Sequence, residues 1–316
     1  MLSLTHCKTV GILARPVSGL VPMHRDRLVG VLLIALSATA FGAMAIFARY
    51  AYADGAGVVA VLFMRFLLAG LMLAAGMLLT RRRWPRGRNL LVFGAMGGLC
   101  YVGQSLSFFN ALNHAAAGLV ALLLYLYPFL VTVLGAVVFR RRLTVARMCA
   151  VLLALGGTAL TLGGSMSGEP LGIVLGLSAA LIYSIYFLIG SLVLDREDPI
   201  ASATVVMLAA AIVFGGITLA YPTPFPATAT GWLAVIAIAV VSTVVAMVSL
   251  FAGIRRLGAA DAATLSTLEP VVTVLLAAVF LAEPLQANQL LGGAVILSAV
   301  IWLTRAEASP GSDATV

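Results

Sequence analysis

Arg65 and Glu269 are the charged residues that the sequence sets deep within long apolar runs, at 57–79 and 260–282. A guanidinium at the centre of a membrane helix costs about 2.5–3.5 kcal/mol on insertion scales, so such a residue implies a partner or a task. Arg65 falls roughly 12 Å along its run at about 1.5 Å per residue. It reads either as a working charge in a cavity or as a structural one that snorkels outward or binds carbonyls of a neighbouring helix. Glu269 reads either as a carboxylate that takes up and releases protons or as a polar anchor for backbone groups freed by Pro270. An Arg65–Glu269 ion pair would need the two depths to overlap.

Polar and aromatic groups recur around these charges. Tyr101, Gln104, Ser105 and Phe108 recur at three- and four-residue spacing, hence on one helical face, as do Tyr183 and Tyr186. Tyr125, Ser242, Ser249 and Ser266 would join them if their helices face a common cavity. A few fixed hydrogen-bonding groups in an apolar pocket make a small-molecule site, whereas singly each is a packing residue or an interhelical bond. Pro128 and Pro270 interrupt two runs and would free carbonyls near Leu124 and Ser266, as a binding feature or a packing kink. Gly94 with Gly98, and Gly172 with Gly176, form GxxxG pairs that imply close helix packing.

Other chemistry is excluded. His6 and His24 lie in the N-terminal segment and His114 in a loop, so no buried Ser/His or metal cluster can form. Cys7, Cys100 and Cys149 are odd in number with no CxxC, which indicates neither disulfide nor zinc. There is no Walker A motif, so ATP does not act directly. No metal site, cofactor or enzymatic activity is expected.

These groups need long apolar elements to hold them. Of 316 residues 62% are hydrophobic and 9% charged, with a mean hydropathy of +1.13. A soluble domain averages about 25% charged, and too few charges remain here to build a water-facing surface. Ten runs emerge, at 28–49, 57–79, 89–110, 116–138, 145–163, 171–193, 200–220, 230–253, 260–282 and 287–304. Each is near the roughly 20 residues that cross a bilayer as a helix. The expected fold is all-α integral membrane. The net charge of +8 sits in arginine clusters between runs, which is a topology signal rather than a nucleic-acid face. With the N- and C-termini cytosolic, all 19 basic residues except Arg49 and Arg65 fall on the cytosolic side. The uncharged turns Gly163-Gly164-Ser165 and Pro222-Thr223-Pro224 then face outward. The first 22 residues lack the apolar core of a signal peptide, and Met23, ahead of His24-Arg25-Asp26-Arg27, fits an initiation site better than Met1.

One offset relates the two halves. Tyr127-Pro128 lies 142 residues before Glu269-Pro270, and the same shift sets Phe41-Gly42 on Tyr183-Ser184, Ala121 on Ala263, Val137 on Val279 and Leu143 on Leu285. Five spans per half is an odd number, so the halves run oppositely through the membrane as inverted repeats, a design of transporters with sites at the repeat interface. The expected domains are a disordered cytosolic extension (1–27), a first five-helix repeat (28–164), a second (165–304) and a cytosolic tail (305–316).

The stretch Ala259-Ala260-Asp261-Ala262-Ala263-Thr264-Leu265-Ser266-Thr267-Leu268-Glu269-Pro270-Val271-Val272 resembles the helix-nine signature of EamA-type carriers in the drug/metabolite transporter superfamily. Val279-Phe280-Leu281-Ala282-Glu283-Pro284-Leu285, Gly292-Gly293 and Arg65-Phe66 fit the same family, with a weaker copy at Ala115 to Pro128, Leu143 and Gly156-Gly157. Departures stand at Tyr127 and Arg141, where the family often carries Glu, and at Phe41-Gly42, where it often carries Trp-Gly. The resemblance implies a multi-pass secondary transporter of the bacterial inner (plasma) membrane, exporting or exchanging amino acids and other metabolites. With few buried charges, neutral or zwitterionic solutes, drugs included, are expected over multiply charged ones. A passive small-solute channel is the alternative. The expected partners are a small-molecule substrate and the lipid bilayer. A proton or counter-substrate is the candidate coupled species, a homodimer is an allowed assembly, and no nucleic acid is expected.

Overall fold

The structure, a computed structural model, describes residues 20–111, 113–115, 117–140, 143–162, 168–194, 197–281 and 284–306. Most of the expected extension and tail, the Gly163-Gly164-Ser165 turn, Arg141, Arg142, Arg196 and Glu283 lie outside the described residues.

Among the described residues every regular element is a helix. They run α1 (Leu20–Gly42), α2 (Met44–Ala53), α3 (Val58–Leu79), α4 (Arg88–Ala95), the π-helix π1 (Met96–Tyr101), α5 (Val102–Ala111), α6 (Ala117–Leu124), α7 (Tyr127–Val138), α8 (Val145–Leu162), α9 (Pro170–Val193), α10 (Pro199–Ala220), α11 (Ala229–Ala239), a second π-helix π2 (Val240–Val245), α12 (Ala246–Leu257), α13 (Ala259–Leu265), α14 (Leu268–Phe280) and α15 (Ala287–Ala306). Joined end to end, they give nine helices long and apolar enough to cross a membrane among the described residues. The tenth expected run falls in α15, whose apolar stretch Ala287–Trp302 is shorter than that. The helix α1 begins at Leu20, not at Leu28. Pro22 lies in its first turn, where the missing N–H costs no helical bond, and Arg27 is anchored on Asp261.

Three rods are broken where the sequence removes a backbone donor or a side chain. Pro128 sits in the first turn of α7, and the chain turns at Tyr125-Leu126 ahead of it. Pro270 sits in the first turn of α14, after a turn at Ser266-Thr267. The Ser266 carbonyl is not free as expected from Pro270. It accepts the Glu269 N–H at 3.0 Å, because the backbone tightens there to a three-residue bond. Thr267 Oγ1 donates to the Thr264 carbonyl at 2.6 Å in the same turn. The first rod breaks at Gly42-Ala43, between α1 and α2.

Packing joins the two halves reciprocally. The helices α1 and α12 pack together, as do α5 and α9, α3 and α10, α7 and α13, and α8 and α15. In spans, the first lies on the eighth and the sixth on the third, while the second, fourth and fifth each lie on their own counterparts. Exchanging the halves leaves this set of pairs unchanged, as a two-fold relation between repeats requires. The second and seventh spans meet close to π1. There a Cβ on Gly97 would stand 2.1 Å from the Val206 carbonyl oxygen, so a hydrogen is all that fits. Of the GxxxG pairs, Gly172 and Gly176 do pack closely, but Gly94 has nothing near and Gly98 only ordinary contact. The extra residue of the π turn moves the helix register, so the close approach falls on Gly97.

At one end of the bundle Asp54, just past α2, accepts the Thr228 backbone N–H at 2.8 Å and clips the start of α11. This bond holds the Asp54 carboxyl below its ordinary pKa.

Both contacts can be tested by stability. Gly97→Ala lowers the thermal midpoint of the detergent-purified protein, by the equivalent of about 1–3 kcal/mol for an overpacked contact, whereas Gly98→Ala leaves it unchanged or raises it. Asp54→Asn lowers the midpoint at neutral pH. Because the folded-state pKa is depressed, the clip stabilises above the unfolded pKa and is lost as pH falls through the folded one. The difference between wild type and Asp54→Asn therefore closes as pH falls below the carboxylate range.

Candidate functional site

A cavity of about 670 Å³ opens between the two halves, within the roughly 300–1,000 Å³ typical of small-molecule sites. Its mouth lies at the Asp54 end, where Arg49 and Tyr52 of α2, Phe108 and Phe109 of α5 and Leu162, the last residue of α8, face it. Deeper, the wall carries Arg65 from α3, Tyr101 from π1, Gln104 and Ser105 from α5, Tyr125 and Tyr127 beside the α6–α7 break, Tyr183 from α9, and Glu269, Pro270 and Thr273 from α14. The broken rods meet at its floor. Thr273 Oγ1 reaches the Glu269 carbonyl at 3.0 Å and the Gly42 carbonyl at 3.1 Å, so the α1–α2 break rests on the α13–α14 break.

Arg65 is 4% exposed. Its Nε donates to Thr243 Oγ1 at 2.8 Å and its Nη2 to the Tyr101 hydroxyl at 2.9 Å. Thr243 belongs to π2 and Tyr101 to π1, so one guanidinium ties the two π-helical segments, one from each half. The Thr243 hydroxyl in turn donates to the Ile238 carbonyl, five residues back, at 2.9 Å. The guanidinium carbon lies 4.8 Å from the Phe66 ring centroid, which offers a further favourable contact for a cation. These bonds use two of the five N–H donors of an arginine and leave the others for the cavity.

Glu269 stands across the cavity, near Tyr125 and within electrostatic reach of Arg65. Among the described residues no ion pair joins Arg65 to Glu269. Arg65 neither snorkels nor binds carbonyls, but bonds two hydroxyls while keeping its place in the cavity wall.

The remaining candidates fall behind the wall. Tyr186 is 1% exposed, its ring 5.7 Å from Tyr101 and 6.0 Å from Tyr183, and its hydroxyl has no hydrogen-bond partner. Ser242 is buried with its hydroxyl unpartnered. Ser249 is buried in α12, and Ser266 bonds back to the Ala262 carbonyl at 2.9 Å. Pro128 does not line the cavity but sets the turn that presents Tyr127. Sequence reasoning missed Thr243, Tyr127, Tyr52 and Thr273. For Tyr127 a signal was available, because the repeat offset pairs it with Glu269.

The helices and cavity define a multi-pass membrane protein with a solute-sized pocket between two similar halves. The profile of the EamA-like transporter family matches twice, over residues 28–163 and 170–305. The chain belongs to the EamA-like transporter family. It is 29% identical over 283 residues to the uncharacterized transporter YcbK of Bacillus subtilis, covering 85% of this chain and 90% of that one. It is 27% identical over 248 residues to the uncharacterized inner membrane transporter YedA of Escherichia coli, covering 76% and 79%. A crystal structure at 23% identity shares the fold with a TM-score of 0.77, over 89% of this chain and 98% of that one. The family and these relatives are transporters, which is not an enzyme class.

A contrast between neighbours tests how Arg65 is held. Thr243→Val keeps the shape and removes the acceptor for Nε, and it lowers thermal stability by about 1.5–3 kcal/mol, the range for bonds to charged groups. Ser242→Ala, which removes a hydroxyl with no partner, leaves the melting curve unchanged or shifts it upward.

Proposed function

We propose that this protein is a secondary transporter that moves small neutral or zwitterionic solutes, such as amino acids or drugs, across the bacterial inner membrane. Transport runs by alternating access around the central cavity, in the direction of export. The observation that carries this reading is the cavity itself, with a guanidinium on one wall, a carboxylate on the other and aromatic surface between. With both ionised their charges cancel. A zwitterion satisfies each with its opposite group, and a neutral solute of mixed polarity uses the tyrosines and Gln104.

The membrane topology belongs to the same reading: ten spans as two inverted five-helix repeats, with both termini cytosolic. Its support is the position of the basic residues and the reciprocal helix pairing. In this orientation the mouth at the Asp54 end faces outward. Glu269 is the coupling carboxylate, exchanging its proton as the cavity changes sides.

The test begins with thermal stabilisation of the purified protein against amino acids, nucleosides, sugars and amphipathic drugs. A ligand of the folded state raises stability by RT ln(1 + [L]/Kd). A selective hit that weakens on Gln104→Ala and Tyr183→Phe, but not on changing a lipid-facing leucine, identifies the solute class. In proteoliposomes that solute shows saturable uptake and counterflow, whereas linear flux without counterflow makes the protein a channel. Glu269→Gln abolishes uptake driven by a pH gradient and spares exchange. Equal loss of both makes Glu269 a structural anchor.

A further inference from the structure

At the end of the bundle away from the mouth lies a second cavity of about 400 Å³, bounded by α7, α9, α12 and α13 and lined in part by Arg147, Arg255 and Asp261. A thin barrier separates it from the first. On α7, Tyr127 lines the first cavity and Val131, one turn on, lines the second; on α9, Tyr183 and Leu188 divide in the same way. The barrier is aromatic, with Tyr127 4.8 Å from Tyr183 and 5.3 Å from Phe187 between ring centroids. The Tyr127 hydroxyl also donates to the Ala263 carbonyl at 3.4 Å, across to α13. A solute crossing the bundle therefore passes cavity, aromatic barrier and second cavity in turn.

Beyond the barrier, buried charge joins the helices. The Asp261 side chain is 4% exposed and takes two arginines from two other spans. Arg147 of α8 reaches Oδ1 at 2.9 Å, and Arg27 of α1 reaches Oδ2 at 3.5 Å. The first, fifth and ninth spans are thus joined through one carboxylate. At the mouth end Glu169 meets His114 Nδ1 at 2.9 Å, with the two side chains 70% and 35% exposed. The repeat offset places Leu119 where Asp261 stands, Gln289 where Arg147 stands and Glu169 where Arg27 stands, so the buried carboxylate between two arginines is not repeated there. Among the described residues the buried pairing stands at one end, and the other end carries only the exposed His114–Glu169 pair.

We propose that Arg27, Asp261 and Arg147 form an ionic gate that holds the helices of the cytosolic end together while the outer cavity is open, and that the second cavity is the vestibule that widens toward the aromatic barrier when this gate parts. The proposal rests on the transporter reading and its orientation. A buried carboxylate with two guanidinium partners stabilises the state in which all three meet, and the opposite state must separate them. Removing the charge then shifts the population toward the inward-open state.

The test uses a background in which the native cysteines are replaced, with single reporters Ala48→Cys in the outer cavity and Ala136→Cys in the second. Asp261→Asn slows thiol labelling at Ala48→Cys several-fold and speeds it at Ala136→Cys, while Asp261→Glu restores the wild-type pattern. Loss of thermal stability with labelling unchanged at both reporters, or changed in the same direction at both, overturns the gate and leaves a structural salt bridge. Where Asp261→Asn fails to fold, Arg147→Gln and Arg27→Gln take its place under the same criteria. The underlying reading is checked apart from this. Ala227→Cys, beside the mouth, reacts with an impermeant maleimide on intact cells if the orientation is right, and wild-type counterflow shows transport. Reaction only after the cells are opened reverses the orientation without touching the reciprocal change that tests the gate.

Discussion

A guanidinium that is 4% exposed has to be held largely by the protein, and much of this architecture serves the one at Arg65. Its two acceptors are hydroxyls on helices from opposite halves, Tyr101 in π1 and Thr243 in π2. Each sits in a π-helical turn, which carries an extra residue and rotates the downstream residues relative to a regular α-helix. The hydroxyl of Thr243 is oriented by its bond to the Ile238 carbonyl, so its lone pair is turned to the arginine. The widened turn of π1 lies against α10, where Gly97 allows contact with the Val206 backbone. The charge, the two π turns and this glycine are thus one constraint, and the cavity wall is built on it.

The membrane character, the spans and the repeat were legible in the sequence because the bilayer sets a minimum length for each apolar run and because two Pro-containing breaks recur at one offset. Arg65 and Glu269 stood out for the same reason, as charges where solvation is lost. The π turns were not legible. Met96–Tyr101 and Val240–Val245 contain nothing that distinguishes them from α-helix, and the register change they cause decides the partner. It puts Thr243, not Ser242, on Arg65, and Gly97, not Gly98, on the neighbouring span. Tyr186 has the spacing of a cavity residue but is turned into the core among Tyr101, Tyr183 and Phe251. Asp261 was visible only as part of a motif, since its partners lie 114 and 234 residues away.

The two halves share a fold but differ in where they place charge. At the repeat offset, Arg65 corresponds to Met207, which is fully buried in α10, and Glu269 corresponds to Tyr127. The first half therefore supplies the cation of the cavity and the second half its anion, each opposite a neutral counterpart. Symmetric halves would have set two arginines and two carboxylates around the same space, with a desolvation penalty for every charge left without a partner. The divergence leaves one of each in the deep part of the cavity, with Arg49 at the mouth and a wall otherwise mostly aromatic and apolar.

The same divergence bears on the balance between conformations. If two inverted halves were identical, a two-fold rotation would carry the state open to one side onto the state open to the other, and the two would have equal free energy. Any preference must come from residues that differ between the halves. Asp261 facing Arg27 and Arg147 is such a difference, because Leu119, Glu169 and Gln289 stand in the matching places at the mouth, where Glu169 meets only the exposed His114. So is Glu269 against Tyr127, a carboxyl group in one half set against a phenol in the other. One difference acts at an end of the pathway and the other at its centre. A solute or proton that binds at the centre can bias the equilibrium only by its differential affinity for the two states. Such a bias can tip the bundle only if the ionic contact at the closed end is worth no more than that difference. The contacts of the proposed gate are few and partly solvated: Arg27 and Arg147 keep 27% and 25% of their side chains exposed around a carboxylate that is itself buried.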